Sequence, residues 1–296
     1  MNTAATVALN SQVINANSAQ HFRREFEQAR PYKHIVIDNF LTKEVAHSLY
    51  DNFPKMTELR KHYKGINENK SEGSSFNQYH GDFLKVLHGI KSPEFVKWME
   101  EVVQIDDLLL PDDHRGAGVH QGKNGSFLDI HVDFSVHPIL NMHRRLNLLI
   151  FLNKNWKSEY GGLLELWNED VTVLEKEIVP AFNRAVIFEC TETSYHGYDV
   201  IKVPEGETRK SIYSYYYSPV AEGVRYHDTI FKPRPSASVL KKTQTHTDKW
   251  HLEILRWQIA VVYICAGIAK INSDWILGAM PMKIWLLQQQ DFPLLG

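Results

Sequence analysis

Fifteen histidines in 296 residues direct attention first to metal and proton chemistry, because imidazole is the commonest metal ligand and titrates near neutrality. A His-x-Asp pair on a β-strand sends both side chains to one face, since strand side chains alternate with a period of two. Two such ligands and a distant second histidine make a facial triad, which leaves positions on an iron open for O2 and a chelating co-substrate. The dipeptide alone selects nothing. Fifteen aspartates among 296 residues give about 0.8 such pairs by chance, and the chain holds three: His80/Asp82, His131/Asp133 and His246/Asp248.

Context selects the middle pair. In Phe127-Leu128-Asp129-Ile130-His131-Val132-Asp133-Phe134, the side chains of Leu128, Ile130, Val132 and Phe134 fall on one face and those of His131 and Asp133 on the other. That pattern packs one side and turns the other to a polar cavity, as a metal site on a rigid element requires. His80/Asp82 straddles a glycine beside a polar stretch and His246/Asp248 sits among Thr and Lys, so both read as solvated surface. The third ligand is sought on a later strand, and His196 in Ser194-Tyr195-His196-Gly197 follows the strand Arg184–Glu189. Beyond it, Arg209, Ser211, Tyr213, Tyr215 and Tyr217 share one strand face while Lys210 points away. A planar guanidinium fits a carboxylate bidentately and Ser211 adds a hydroxyl, which makes Arg209 the stronger anchor. His137 and His143 read as loop or substrate-side histidines. Arg234-Pro235-Ser236, downstream of His227, is a second Arg-x-Ser that its proline argues against.

The elements that must hold these residues follow from periodicity. Residues 34–37 read as a buried strand. Thr42 and Ser92 open helices with apolar faces, Pro93 taking the first helical position of the second. Residues 60–80 read as a mobile loop. From 118 to about 220 the period becomes alternating, with strands expected at 126–134, 145–152, 163–167, 184–189 and 209–217. Short strands after a helical N-terminal part imply a mainly β fold with flanking helices, a double-sheet jelly roll. The expected divisions are a flexible tail over 1–30, a catalytic domain over 31–230, a linker over 231–250 rich in Pro, Lys and Thr, and a hydrophobic helical segment over 251–296.

Thirty-three Lys+Arg against 35 Asp+Glu give a net charge of −2, which argues against a phosphate-neutralising nucleic-acid binder. Two cysteines, Cys190 and Cys265, are too few for a disulfide scaffold and fit a reducing compartment. No signal peptide is read in the polar N-terminus. Apolar runs at 257–269 and 275–287 fall short of the ~20 residues of a membrane span, although Arg256 and Lys270 could snorkel at the ends of the first. Trp257, Tyr263, Trp275 and Trp285 would then serve as interfacial anchors.

His131-x-Asp133, His196-Gly197 and Arg209-x-Ser211 together resemble the signature of Fe(II)/2-oxoglutarate-dependent dioxygenases, nearest the prolyl-4-hydroxylase-like branch. Asp38-Asn39-Phe40-Leu41, Leu148–Asn153 and Gly161–Trp167 are similar to that branch as well, so the likeness covers about residues 33–220. It implies a double-stranded β-helix, iron on His131, Asp133 and His196, 2-oxoglutarate held by Arg209 and Ser211, succinate and CO2 as co-products, and ascorbate as iron reductant in many members. Several prolyl hydroxylases carry a co-substrate-binding Tyr where this chain has Phe127, so that hydroxyl contact is either missing or supplied from elsewhere, by Asn147 or Tyr213. Residues 251–296 resemble the start of a vitamin-K-dependent γ-carboxylase-like (HTTM) membrane domain, cut short, with Lys270 matching that family's base. The catalytic part is expected on the cytoplasmic side, attached to a membrane through this segment, with a small-molecule or peptide substrate. The rival expectation is a non-catalytic jelly-roll binding module with structural histidines. The two diverge on whether His131 and His196 converge.

Overall fold

In a computed structural model of the protein, which describes residues 8–113, 116–221, 223–235, 257–261 and 263, the strands make a double-layered antiparallel sheet backed by helices. Contacts divide the chain into Met1–Pro235 and Ser236–Gly296. In the first unit, α1 (Ala16–Gln28), β1 (His34–Asp38), α2 (Lys43–Asp51), β2 (Lys61–Lys64), β3 (Glu68–Gly73), α3 (Gly81–Lys91) and α4 (Pro93–Val103) precede the main strands. These are β4 (Ala117–Gly122), β5 (Phe127–Val132), β6 (Met142–Phe151), β7 (Leu164–Trp167), β8 (Leu174–Ile178), β9 (Arg184–Glu189), β10 (His196–Tyr198), β11 (Arg209–Pro219) and β12 (Ile230–Phe231). The hydrogen-bonded order is β1-β9-β6-β11-β4-β3-β5-β10-β7-β8, with β2 on β3 and β12 on β5.

Strand alternation sorts side chains between two cores. Leu146, Leu148, Ile150, Ile187, Ile212 and Tyr216 pack outward against the helices, and the Tyr216 hydroxyl donates to the Ile90 carbonyl at 2.6 Å. Their neighbours Phe151, Val186 and Phe188 turn inward and meet Leu164, Leu166 and Ile178 of the second layer. Each such burial contributes about 1.5–3 kcal/mol. The jelly roll therefore keeps its helices on one side and leaves the space between its layers for a site. The expected caps hold in part. The Ser92 hydroxyl accepts from the Phe95 amide at 3.2 Å, while Thr42 occupies the N-cap of α2 without a side-chain cap bond.

Several expectations are corrected. The N-terminal 1–30 is no loose tail over its described part. Asn15 and Ser18 form a reciprocal capping box at the start of α1, and Ala19 and Phe26 are buried. The Trp98 indole of α4 donates to the Ser18 hydroxyl at 3.3 Å. Sparse apolar residues (Ala19, Phe22, Phe26) suffice here because α4 supplies the complementary face. The mobile loop expected over 60–80 contains a hairpin, β2 and β3, whose second strand joins the central sheet through β4 and β5. Residues 231–235, expected as the start of a linker, belong to the first unit. Phe231 pairs with His131, the Lys232 amide donates to the Ile130 carbonyl at 2.8 Å, and Arg234 reaches Glu165. Most of 236–296, including Cys265, Lys270, Trp275 and Trp285, lies outside the described residues. Residues 257–261 are helical, and no helix among the described residues is long and apolar enough to cross a membrane.

Candidate metal centre and co-substrate cavity

His131 is the penultimate residue of β5 and His196 begins β10, and the two face each other in antiparallel register. Their ring centroids are 4.3 Å apart. Asp133 follows directly, with His131 Nε2 3.7 Å from Asp133 Oδ1 and His196 Nε2 3.4 Å from Asp133 Oδ2. One ligand atom from each residue lies within 4.8 Å of the others. Metal–ligand bonds of about 2.1 Å at right angles place donors about 3 Å apart, so these three are spaced to close on one ion.

The tautomers agree. His131 Nδ1 lies 2.8 Å from the Asp129 carbonyl and His196 Nδ1 3.0 Å from the Ser194 carbonyl. A carbonyl only accepts, so each Nδ1 carries the proton and each Nε2 presents its lone pair. Burial, then the neighbouring His131, pushes His196 down to about 3, which keeps its imidazole neutral. Burial raises the Asp133 carboxyl, but Arg144 and the two histidines outweigh it and hold it well below the usual range. Two imidazole Nε2 atoms and a carboxylate are the donor set a divalent ion needs.

The backbone at the strand crossing is specialised. Register shifts between His196 and Tyr198 opposite β5, and the resulting bulge changes the parity of β5. Ile130 and Val132 pack with Trp167 and Tyr195 as expected, whereas Leu128 turns to the cavity. Phe134, beyond the end of β5, lines the mouth rather than the core. A Cβ on Gly197 would sit 2.8 Å from the Leu128 carbonyl oxygen, so β10 can approach β5 only with glycine there.

Behind the triad lies a narrow cavity lined by His196, Asn147, Arg209, Ser211, Tyr213 and Tyr198, opening to a mouth of ≈ 360 Å³. Arg209 is 3% exposed. Its Nε donates to the Gly162 carbonyl at 2.6 Å, and its guanidinium lies 4.5 Å from the Tyr198 ring centre. Among the described residues no carboxylate pairs with it, and burial draws it down to about 10. A buried cation without a counter-ion, facing a cavity, is a receptor for a carboxylate. The Lys210 amine, by contrast, lies 3.4 Å from the Thr208 carbonyl and 5.2 Å from the Tyr50 ring centre and does not line the cavity.

The remaining candidates separate. Asn147 is committed to the triad: its amide donates to Asp133 Oδ2 at 2.8 Å and its carbonyl accepts from Arg144 at 2.7 and 3.0 Å. Tyr213 lines both the inner cavity and the mouth, and Phe127 lines neither. Tyr217, past a bulge in β11, packs on His137 instead of facing the cavity. His137 pairs with Asp113 at 3.0 Å, and His143 lines a side cleft that shares Asp133 and Arg144 with the mouth. His80 caps α3, and Asp82 is buried and bridged to Lys85 at 2.6 Å, so that pair is structural rather than solvated. His246/Asp248 lies outside the described residues. Arg234 is also structural, set against Glu165 and, at 3.8 Å, Asp129.

Sequence reasoning missed Arg144 and β3. The charged residues Glu68, Lys70 and Glu72 line the mouth, with the Lys70 amine 3.2 and 2.9 Å from the two carboxylates. Burial opposes the Lys70 charge, but the two glutamates outweigh it and raise its affinity for the proton. The signal was the strict alternation of charge in Glu68-Asn69-Lys70-Ser71-Glu72, a strand pattern in polar residues.

An antiparallel jelly roll carrying two histidines and a carboxylate on one side, with a buried arginine behind them, defines a non-haem iron oxygenase architecture. Residues 117–217 match the family model of the 2OG-Fe(II) oxygenase superfamily. Residues 236–296 match the HTTM domain model. The chain is 23% identical over 194 residues to mouse prolyl 3-hydroxylase OGFOD1, covering 64% of this chain and 33% of that protein. It thus spans about a third of the length of that curated relative. Among solved structures it is similar to a Pseudomonas putida prolyl-4-hydroxylase (15% identity, TM-score 0.48, 67% of this chain and 98% of that one). It is also similar to a 2OG-Fe(II) oxygenase-family oxidoreductase from Burkholderia pseudomallei (12% identity, TM-score 0.46, 69% and 91%).

Proposed function

We propose that the first unit is a 2-oxoglutarate-dependent hydroxylase in which His131, Asp133 and His196 hold Fe(II) and Arg209 with Ser211 receives the distal carboxylate of 2-oxoglutarate. The observation that carries this reading is the convergence of two Nε2 lone pairs and one carboxylate beside a buried, unpaired guanidinium. Iron with 2-oxoglutarate supplies oxidative decarboxylation to succinate and CO2 coupled to hydroxylation of a substrate C–H bond. The chain's own residues do the rest. Backbone carbonyls fix the imidazole tautomers, Arg209 orients the co-substrate by a two-pronged contact, and the inner cavity limits water. Substrate enters through the mouth between β3 and Phe231. The 4.3 Å approach of the imidazoles argues against the rival binding-module reading, for which histidines more than ~10 Å apart would have been the mark.

The test is succinate formation from 2-oxoglutarate by purified protein with Fe(II), with and without ascorbate, which we take as the iron reductant. Wild-type protein turns over 2-oxoglutarate and Asp133→Ala lowers the rate by at least ~100-fold; equal rates would end the proposal. The name of the mouse relative makes a prolyl peptide the first substrate to try, scored by stimulation of turnover. We further propose, from the HTTM match, that 236–296 attaches the oxygenase to a membrane with the catalytic unit in the cytoplasm. Flotation of the full chain with liposomes, lost on removal of 236–296, checks the attachment.

A further inference from the structure

Asp133 has two carboxylate oxygens in different settings. Oδ2 accepts from the Asn147 amide at 2.8 Å and lies 3.0 Å from Arg144 Nη2. The Asn147 hydrogen bond and the Arg144 ion pair both fall on Oδ2, while Oδ1 faces His131 Nε2 at 3.7 Å and is the oxygen left for a metal. Arg144 cannot easily leave this position. It is 1% exposed, its Nε and Nη2 both donate to Asn147 Oδ1, and its guanidinium lies 3.6 Å from the Tyr215 ring centre and 4.7 Å from that of Phe134. A planar cation held between two rings and doubly bonded below is preorganised.

We infer that Arg144, with Asn147, is a positioning pair that restricts Asp133 to one-oxygen ligation and so keeps a metal position open for 2-oxoglutarate. A carboxylate released from these donors can turn and offer both oxygens to the ion, occupying a position the chelating co-substrate needs. The inference rests on the iron-site reading above. It goes further in separating two affinities that a general structural role would move together: metal binding survives loss of the pair, and co-substrate binding to the metal-loaded protein does not.

The experiment uses the full chain, with Mn(II) titrated in place of Fe(II) under argon and 2-oxoglutarate titrated into the Mn(II)-loaded protein. For Arg144→Gln we expect a Mn(II) Kd within about threefold of wild type and a 2-oxoglutarate Kd raised at least about tenfold. The visible charge-transfer band of the anaerobic Fe(II)–2-oxoglutarate pair should be lost with it, and Arg144→Lys should recover part of both. Asn147→Ser removes one donor and leaves the buried cation, so it gives the same split, smaller, if Arg144→Gln fails to fold. Unchanged 2-oxoglutarate affinity in the variant that folds overturns the inference, as does a parallel loss of both affinities. If wild-type protein binds no Mn(II), the iron-site reading falls first and the inference with it.

Discussion

At the scale of single residues, the buried charges make opposing demands on stability and function. Among the described residues no carboxylate pairs with Arg209 and burial disfavours its charge, so the ligand-free fold carries the cost of a buried cation. Arg209→Met should therefore hold or raise the melting temperature of the ligand-free protein, by about 2–4 °C for each kcal/mol regained. It should also abolish the thermal shift that 2-oxoglutarate gives the wild type. Differential scanning fluorimetry with and without 2-oxoglutarate reads both, and a large fall in the ligand-free melting temperature would show that the guanidinium is already compensated. His196 gives a pH dependence of definite sign. Its folded value of about 3 lies below the ordinary 6.5, so the unfolded chain binds that proton more tightly. The stability it contributes is fully present above pH 6.5 and is lost as the pH falls toward 3. Denaturant midpoints of the metal-free protein should drop over that window, and His196→Asn should flatten the slope.

At the scale of elements, what could be read in advance depended on whether burial wrote itself into hydrophobicity. β5, β9 and β11 alternate clearly, so the strand faces that carry His131, Asp133, Arg209 and Ser211 are legible in the sequence. His196 stood out from its place after β9. β3 left no such mark because both of its faces are polar, one lining the mouth and the other meeting groups such as His62, whose Nδ1 lies 2.9 Å from the Ser71 hydroxyl. The parity of Leu128 and Phe134 was misread because a bulge is a backbone event, dictated by the strand β10 that crosses there rather than by the local sequence. Gly197 is the residue that permits the crossing. Gly197→Ala would set a methyl 2.8 Å from the Leu128 oxygen and 3.0 Å from the Asp129 oxygen, the latter being the acceptor that orients His131. We expect destabilisation of about 1–3 kcal/mol and a Mn(II) affinity at least ~10-fold weaker, read by thermal melting and metal titration. Retained metal affinity would mean that β10 can shift without moving His196.

At the scale of the whole first unit, the C-terminal strap 227–235 closes the structure in a way that composition concealed. Its Lys232-Pro233-Arg234-Pro235 stretch resembles a linker, yet β12 adds to β5 beside His131, and the Phe231 ring lies 5.4 Å from that of His131. Arg234 then enters a buried group with Glu165 and Asp129, both 4% exposed, while the Trp167 indole donates to Glu165 at 3.0 Å. Burial raises the Glu165 carboxyl although Arg234 opposes it, so removing the arginine leaves an acid that is costly to keep ionised. Breaking a buried pair from one side costs about 3–5 kcal/mol, whereas replacing both partners is often close to neutral. Arg234→Met should lower the denaturation free energy by an amount in that range, and the double variant Arg234→Met/Glu165→Gln should recover much of it. The same logic sets the boundary for a minimal oxygenase. A protein ending at Pro235 keeps the strap and should melt as the first unit does in the full chain, while one ending at Asp228 loses β12 and the Arg234 pairing together. If the shorter protein melts at the same temperature and still binds Mn(II), the strap is peripheral and the oxygenase unit ends where β11 does.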